Sequence, residues 1–131
     1  MPYVPIDRVL TVDAERATAI KNVTFTEDYL ATHFPQFPVV PGAMMIDSLL
    51  ELAGVLLASV LGGHGGVALA SIRRARFRRF VRPGDQLEVI VELVGLDHEQ
   101  RLATVGGSLR VGGDEVSAIV DMTVRWRDLD G

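Results

Sequence analysis

The longest apolar stretch of the chain runs from Ala43 to Leu61 and predicts a core helix. It follows Pro41-Gly42 directly and ends at Gly62-Gly63, and both pairs are typical of helix termini. Because the stretch is apolar on nearly every side, other elements must surround the helix.

Two carboxylates decide between a membrane span and the core helix of a soluble domain. The stretch is long enough to cross a bilayer, but Asp47 and Glu51 lie well inside it. Each of them costs roughly 2.5 to 3.5 kcal/mol or more at a bilayer centre. We therefore expect a soluble domain with no membrane partner.

A narrow stripe of polar and small side chains follows this helix. Asp47, Glu51, Gly54 and Ala58 recur at the spacing i, i+4, i+7 and i+11, which places them on one face. The stripe predicts that this face meets a cavity or a closely packed partner.

Hydrophobic and polar residues alternate with a period of two in the second half of the chain, which predicts strands. The alternation covers 87–94 and 115–126, and 101–111 is expected to form another strand between them. Two short strands over 7–12 and 16–23, and a short helix starting at Thr26, are predicted upstream.

An arginine-rich strand after the long helix completes the predicted order β-β-α-loop-α-β-β-β-β. A twisted antiparallel sheet can curl around one long apolar helix, so that each buries the other. The predicted fold class is α+β, with a curved antiparallel sheet wrapped around a central helix. Residues 1–131 are expected to form a single domain.

Composition supports one soluble domain inside the cell. The chain has 131 residues, of which 48% are hydrophobic and 23% are charged, and it contains no cysteine. Disulfides and thiolate chemistry are therefore excluded. Asp7 and Arg8 interrupt the first ten residues where an export signal needs an apolar core. We expect cytoplasmic localisation.

Positive charge is concentrated in one segment of a chain whose net charge is −4. The arginines of this segment are Arg73, Arg74, Arg76, Arg78, Arg79 and Arg82. No acid interrupts them, so the pattern favours a local anionic partner and does not indicate a nucleic-acid-binding protein. The alternative is a solvated strand whose arginines pair with nearby acids.

The segment from His33 to Gly42 contains candidate catalytic groups. Its prolines hold the backbone extended and stiff, which fixes the direction in which His33 points. Histidine can act as a base near neutral pH, and a carboxyl group on an apolar helix face favours its proton-donating form. The Gly42 N–H, at a helix start, can donate to a developing oxyanion. These are the parts of an elimination alpha to a carbonyl.

The same segment resembles the motif of the hot-dog-fold 3-hydroxyacyl-(acyl carrier protein) dehydratases of the FabZ and FabA kind. Their motif is H-F-x-x-x-P-V-x-P-G, followed by an acid five residues after the glycine. This chain matches it at His33, Phe34, Pro38, Val39, Pro41, Gly42 and Asp47. The segments 7–9, 19–24, 75–79 and 81–87 are also similar to FabZ-type segments.

The resemblance implies dehydration of a (3R)-hydroxyacyl thioester. His33 would abstract the C2 proton, Asp47 would assist departure of the 3-hydroxyl as water, and the Gly42 N–H would polarise the thioester carbonyl. An acyl tunnel beside the helix is implied, with the substrate-binding residues Phe34, Phe37, Pro41, Met44, Met45 and Glu51.

The resemblance also implies partners. In the family the histidine and the acid of one site belong to different subunits, which implies a homodimer or a trimer of dimers. The arginine-rich segment would bind the acidic acyl carrier protein and the phosphate of its arm. No metal or cofactor is expected, since no histidine has ligand spacing with another.

Other interpretations remain at this stage. Asp28 and His33 have the spacing of the catalytic pair of MaoC-like (R)-specific enoyl-CoA hydratases, although the Asn-Pro between them is absent. Glu51 replaces a glutamine that is usual in the family, and it adds a second carboxylate one helical turn from Asp47. A second charge there would impair catalysis, so a non-catalytic acyl-binding or assembly subunit is another interpretation. A hot-dog thioesterase is disfavoured, because His64-Gly65-Gly66 follows the long helix instead of preceding it.

Three side chains also have simpler structural explanations. Asp47 would form a salt bridge across a subunit interface if it is not catalytic. His64 and His98 are predicted to be solvent-exposed loop residues.

Overall fold

Six antiparallel strands form one sheet, and a long helix packs against one of its faces. The computed structural model describes residues 4–23, 42–78 and 81–129, with the backbone alone at 42–43 and 118–120. The elements are β1 (Arg8–Val12), β2 (Arg16–Asn22), α1 (Gly42–Leu61), β3 (Val67–Phe77), β4 (Gln86–Asp97), β5 (Leu102–Val111) and β6 (Asp114–Trp126). The predicted α+β architecture is confirmed, and the short helix expected at Thr26 lies outside the described residues.

The strand order of the sheet is β1-β2-β4-β5-β6-β3. The strands β4, β5 and β6 form a meander. β3 precedes them in the chain but pairs with β6, from Val67 opposite Trp126 to Phe77 opposite Ser117. The chain between β2 and β3 therefore crosses the sheet, which leaves β1 and β3 as its two edge strands.

The core lies between α1 and the face of the sheet that it covers. Leu49, Leu52, Leu56 and Leu57 are fully buried, and each such side chain contributes about 1.5 to 3 kcal/mol of transfer free energy. Gly107 of β5 allows the close approach, because a Cβ atom there would lie 2.9 Å from Leu49 Cδ2.

Two contacts define the direction of α1 over the sheet. Gly54 packs against Val67 at the start of β3, whereas Leu49 packs on Gly107, in a cross-strand row with Ala75 near the end of β3. The N-terminus of α1 therefore lies toward the end of the sheet where β3 ends. The C-terminus lies toward the start of β3.

One chain covers α1 on one side only. Asp47, Glu51 and Ala58 of the polar stripe are exposed, and Gly54 is buried against β3. The segment Met44–Leu61 is long and apolar enough to cross a membrane, yet only 39% of it is buried within this chain. The helix packs in the core of this fold and leaves the face of Asp47, Glu51 and Ala58 exposed.

His64 is not the exposed loop residue that the sequence predicts. It is half-buried, and its Nε2 lies 2.8 Å from the Gly54 carbonyl oxygen. The Gly66 N–H donates to His64 Nδ1 over 3.0 Å, so the hydrogen of the neutral ring is on Nε2. The imidazole ties the loop after α1 back to the middle of the helix, a role that glycines on both sides of His64 obscure in the sequence.

The last described residues hold the same loop from outside. Arg101 Nε and Nη2 each lie 2.7 Å from Asp128 Oδ2, and this hydrogen bonding lowers the pKa of Asp128. Arg127 donates from Nη2 to the Gly65 carbonyl over 2.8 Å, and the Gly65 N–H donates to the Arg127 carbonyl over 2.6 Å. The ion pair thus connects the β4–β5 turn to the segment that secures the loop.

Replacing Asp128 with asparagine is expected to destabilise the protein in a pH-dependent way. Because its folded-state pKa lies below the ordinary 3.8, the carboxylate contributes stability above that value and loses it as the pH falls through the folded-state pKa. Urea unfolding from pH 7 to 3 should show a constant difference from wild type down to about pH 5, and convergence below it. Glu99→Gln, in the same turn, is the charge-matched control, and equal behaviour of both variants would contradict the assignment.

Candidate active site

The first turn of α1 presents a backbone donor. Gly42 is the first residue of the helix, so its N–H has no acceptor within the helix. The positive end of the helix dipole adds to the attraction for negative charge at this point. The predicted oxyanion donor, the Gly42 N–H, therefore lies at the first residue of the helix.

Asp47 lies five residues further along α1, about 7.5 Å along the helix axis from Gly42. Its side chain is exposed, and Glu51 is exposed one turn later on the same face. Neither carboxylate forms an ion pair with the part of the chain that the structure describes. Both acids thus lie on the face of α1 that a single chain leaves uncovered.

The two methionines predicted to bind substrate differ in their surroundings. Met45 is 4% exposed and belongs to the hydrophobic core, whereas Met44 is half-buried and packs against the core from its edge. Of the two, Met44 is placed nearer to the uncovered side of α1.

The other predicted site residues of the motif lie outside the described residues. They are His33, Phe34, Phe37 and Pro41, together with Asp28 of the alternative hydratase pair. The segment that contains them follows Val23, whose backbone pairs with Gly84 and Asp85 in the turn before β4.

The arginine-rich segment divides into paired and unpaired side chains. Arg73 pairs with Asp121 at 3.2 Å, and Arg78 pairs with Glu115 at 3.7 Å. Both acids belong to β6, so the register of β3 on β6 determines which cations are neutralised within the chain.

Arg74 and Arg76 are exposed and form no ion pair with the described residues. Both lie in the second half of β3, at the end of the sheet toward which the N-terminus of α1 points. Arg82 is exposed in the turn before β4, where its N–H donates to Asp85 Oδ2, and Arg79 is outside the described residues. The strand itself begins at Val67, before the arginines, and ends at Phe77.

A family model supplies the decisive comparison. The model described as a FabA-like domain matches residues 3–120 of the 131 residues. The chain belongs to the FabA-like domain family. The match includes the segment in which Gly42 and Asp47 lie.

Curated relatives of this FabA-like chain have names of one kind. The protein named 3-hydroxyacyl-[acyl-carrier-protein] dehydratase FabZ of Bartonella bacilliformis is 40% identical over 126 residues, covering 91% of this chain and 81% of the relative. The protein of the same name from Granulibacter bethesdensis is 42% identical over 120 residues, covering 88% and 69%.

Solved structures share the fold at low sequence identity. The dehydratase heterocomplex ApeI:P from Xenorhabdus doucetiae matches with a TM-score of 0.78 and 15% identity, covering 95% of this chain and 84% of the other. A mutant of the fluoroacetyl-CoA-specific thioesterase FlK matches with a TM-score of 0.70 and 18% identity, covering 89% and 88%. These likenesses confirm the hot-dog fold and carry no further argument about chemistry.

Lys21 is a buried cation that the pattern of residues did not single out. It lies on β2 opposite Leu87 and is only 2% exposed, which is rare for lysine. Its only signal in the sequence is its place inside the segment 19–24 that resembles FabZ. A lysine in the alternating pattern of a strand otherwise predicts an exposed position.

Proposed function

We propose that this FabA-like chain catalyses the reversible dehydration of (3R)-hydroxyacyl-acyl carrier protein thioesters to trans-2-enoyl thioesters. The observation that carries the proposal is the register of His33, Gly42 and Asp47, with Gly42 opening α1 and Asp47 exposed on its uncovered face. The FabZ relatives support the substrate class. The reaction belongs to fatty-acid synthesis or to a polyketide-type pathway, and we place it in the cytoplasm.

The proposed residues supply each step of the elimination. His33 removes the C2 proton, and the C–H electron pair moves toward the thioester carbonyl, whose oxygen the Gly42 N–H stabilises as it becomes negative. As the carbonyl re-forms, the new C2–C3 double bond expels the 3-hydroxyl group. Asp47 gives that group a proton, so it leaves as water. The proton held by His33 then restores Asp47 through solvent.

A homodimer, alone or within a trimer of dimers, would complete this site. The polar stripe of α1 runs beside β3, because Gly54 of the stripe packs on Val67. β3 is an edge strand, and its Leu69 and Phe77 are 38% and 45% exposed. Unpaired edges and exposed apolar side chains favour pairing with another chain. A second copy seated here would cover Asp47, and the resemblance to the family implies that the His33 of the same site belongs to that copy.

The acyl carrier protein would bind at the end of the sheet where Arg74 and Arg76 lie. Arg73 and Arg78 are already paired with acids of β6, so they offer less to an external anion. The guanidinium groups of Arg74 and Arg76, which form no ion pair with the described residues, lie on the half of β3 toward which the N-terminus of α1 points. An acidic carrier docked there would direct its phosphate-bearing arm toward the reacting groups.

Single substitutions separate the dehydratase from its alternatives. Hydration of a short trans-2-enoyl thioester should fall about 10²- to 10⁴-fold in His33→Ala and in Asp47→Ala, because each removes a proton-transfer group. Asp28→Ala should retain the wild-type rate. Loss of activity only with Asp28→Ala would favour the MaoC-like hydratase, and an inactive wild type would favour the non-catalytic subunit. Equal rates of wild type and His33→Ala would remove His33 from the mechanism.

Mixed dimers test whether His33 and Asp47 act across subunits. His33→Ala and Asp47→Ala chains, unfolded together and refolded in equal amounts, should recover about a quarter of the wild-type activity, since half of the sites in each statistical heterodimer are intact. Each variant refolded alone is the control and should stay inactive. If both groups act within one chain, the mixture will recover no activity.

Matched arginine pairs test the docking site. Arg74→Gln with Arg76→Gln should raise KM for the carrier-linked substrate about tenfold, since two charge-assisted contacts are lost. The rate with a short thioester that has no carrier should not change. Arg73→Gln with Arg78→Gln, which removes the same charge from paired positions, should have a smaller effect. Equal effects of the two pairs would contradict the assignment.

A further inference from the structure

A cavity with three arginines lies at the opposite end of the sheet from Gly42. Its volume is about 280 Å³, and it is lined by Gln100, Arg101, Arg125, Trp126, Arg127 and Asp128. It lies where β6 ends and the β4–β5 turn enters β5, beyond the C-terminal end of α1. The cavity is therefore separate from the site proposed for dehydration.

Two of the three guanidinium groups in this cavity are held in place by the protein. Arg101 contacts Asp128 through Nε and Nη2 and retains its third nitrogen for another acceptor. Arg127 is fixed by the bond from Nη2 to the Gly65 carbonyl. Fixed donors lose little conformational entropy when an anion binds, which favours binding.

Arg125 is the guanidinium group of the cavity that neither donates to nor pairs with another of the described residues. It is exposed, and it forms no ion pair with the residues that the structure describes. Arg125 and Arg127 flank Trp126, which is only 5% exposed, and alternate residues of an extended segment lie on the same side. The cavity thus has one carboxylate, already engaged by Arg101, against three guanidinium groups.

The backbone at Arg101 provides a second, independent observation. Its φ of 57° lies in the left-handed region, where arginine is uncommon and glycine or asparagine is preferred. The Arg101 carbonyl accepts the N–H of Trp126 over 3.0 Å, so this conformation is held against β6. The turn thus fixes the position from which the Arg101 side chain reaches both Asp128 and the cavity.

Acids of the neighbouring turn limit what the cavity can attract. Asp97 ends β4 and Glu99 lies in the turn that follows, and Asp97 Oδ1 accepts the N–H of Gln100 over 3.0 Å. A diffuse basic field is therefore absent, and an anion must be held by direct contacts with the guanidinium groups. Three such groups, from the β4–β5 turn, the end of β6 and the segment after it, suit the several oxygens of a phosphate better than the two of a carboxylate.

We propose that this cavity binds the phosphate group of a small molecule. Arg125 and Arg127 would donate hydrogen bonds to it directly, and Arg101 would line the remaining side of the cavity. The volume admits a phosphate group with a few further atoms and lies below that of sites for drug-sized ligands. The proposal does not depend on the dehydratase activity.

Titration with inorganic phosphate, followed by NMR on backbone and Trp126 indole N–H signals, tests the site. We expect saturable shifts confined to residues 97–101 and 125–128, and an affinity at least about tenfold lower in Arg125→Ala. Arg8→Ala, which removes an exposed arginine at the other edge of the sheet, is the matched control and should bind as wild type does. Sodium acetate at equal ionic strength should give no saturable shift.

Three results would overturn the proposal: no saturable response to phosphate, an equal response in Arg125→Ala, or binding of acetate as tight as that of phosphate. A parallel titration with glycerol 3-phosphate distinguishes the source of the group. Tighter binding than inorganic phosphate supports a phosphate monoester as the ligand, and equal or weaker binding supports free phosphate. Because Arg125 is exposed, its substitution should leave the fold intact, which circular dichroism checks.

Discussion

The structure depends on one constraint, which is that a 20-residue apolar helix packs against a single sheet that covers only one of its sides. Burial of Leu49 against Gly107 sets how closely the helix approaches, and the contact of Gly54 with Val67 sets its direction. The remaining face contains Asp47 and Glu51, which a purely structural helix would direct to water. Both are exposed, and Gly54 on the same face packs against Val67 of the edge strand β3.

The helix also separates the molecule into two chemically different ends. At its N-terminus are the Gly42 N–H, which has no acceptor within the helix, and, on the adjacent half of β3, Arg74 and Arg76, which form no ion pair with the described residues. At its C-terminus the loop is secured by His64 from inside and by Arg127 from outside. Most of the polar groups at the second end hold the chain, and Arg125 is the exception among the described residues. The position of β3 at the sheet edge follows from this arrangement, because the secured loop delivers the chain to β6.

Much of the fold could be predicted from local patterns, because period-two alternation and a long apolar stretch between glycines and proline report burial directly. The placement of β3 beside β6 could not, since pairing of edge strands depends on contacts far apart in the chain. The environment of His64 was predicted wrongly for the same reason: its partners are Gly54 and Gly66, and glycine gives no side-chain signal. The roles of His33 and Asp47 came from resemblance to a family motif, because spacing alone indicates only that a base and an acid are present.

In the arginine-rich segment, the register of β3 on β6 determines which cations pair with acids of the same chain. In the sequence its cations are equivalent, and either a docking surface or a set of ion pairs explains them. On β3, the acids of β6 reach Arg73 and Arg78 and leave Arg74 and Arg76 without a partner among the described residues. Exposed ion pairs contribute little to stability, so selection for stability gives no reason to keep the unpaired cations on an exposed edge. Two like charges on one exposed strand repel each other, and an external anion would neutralise them, which is why we propose a binding role at this end of the sheet.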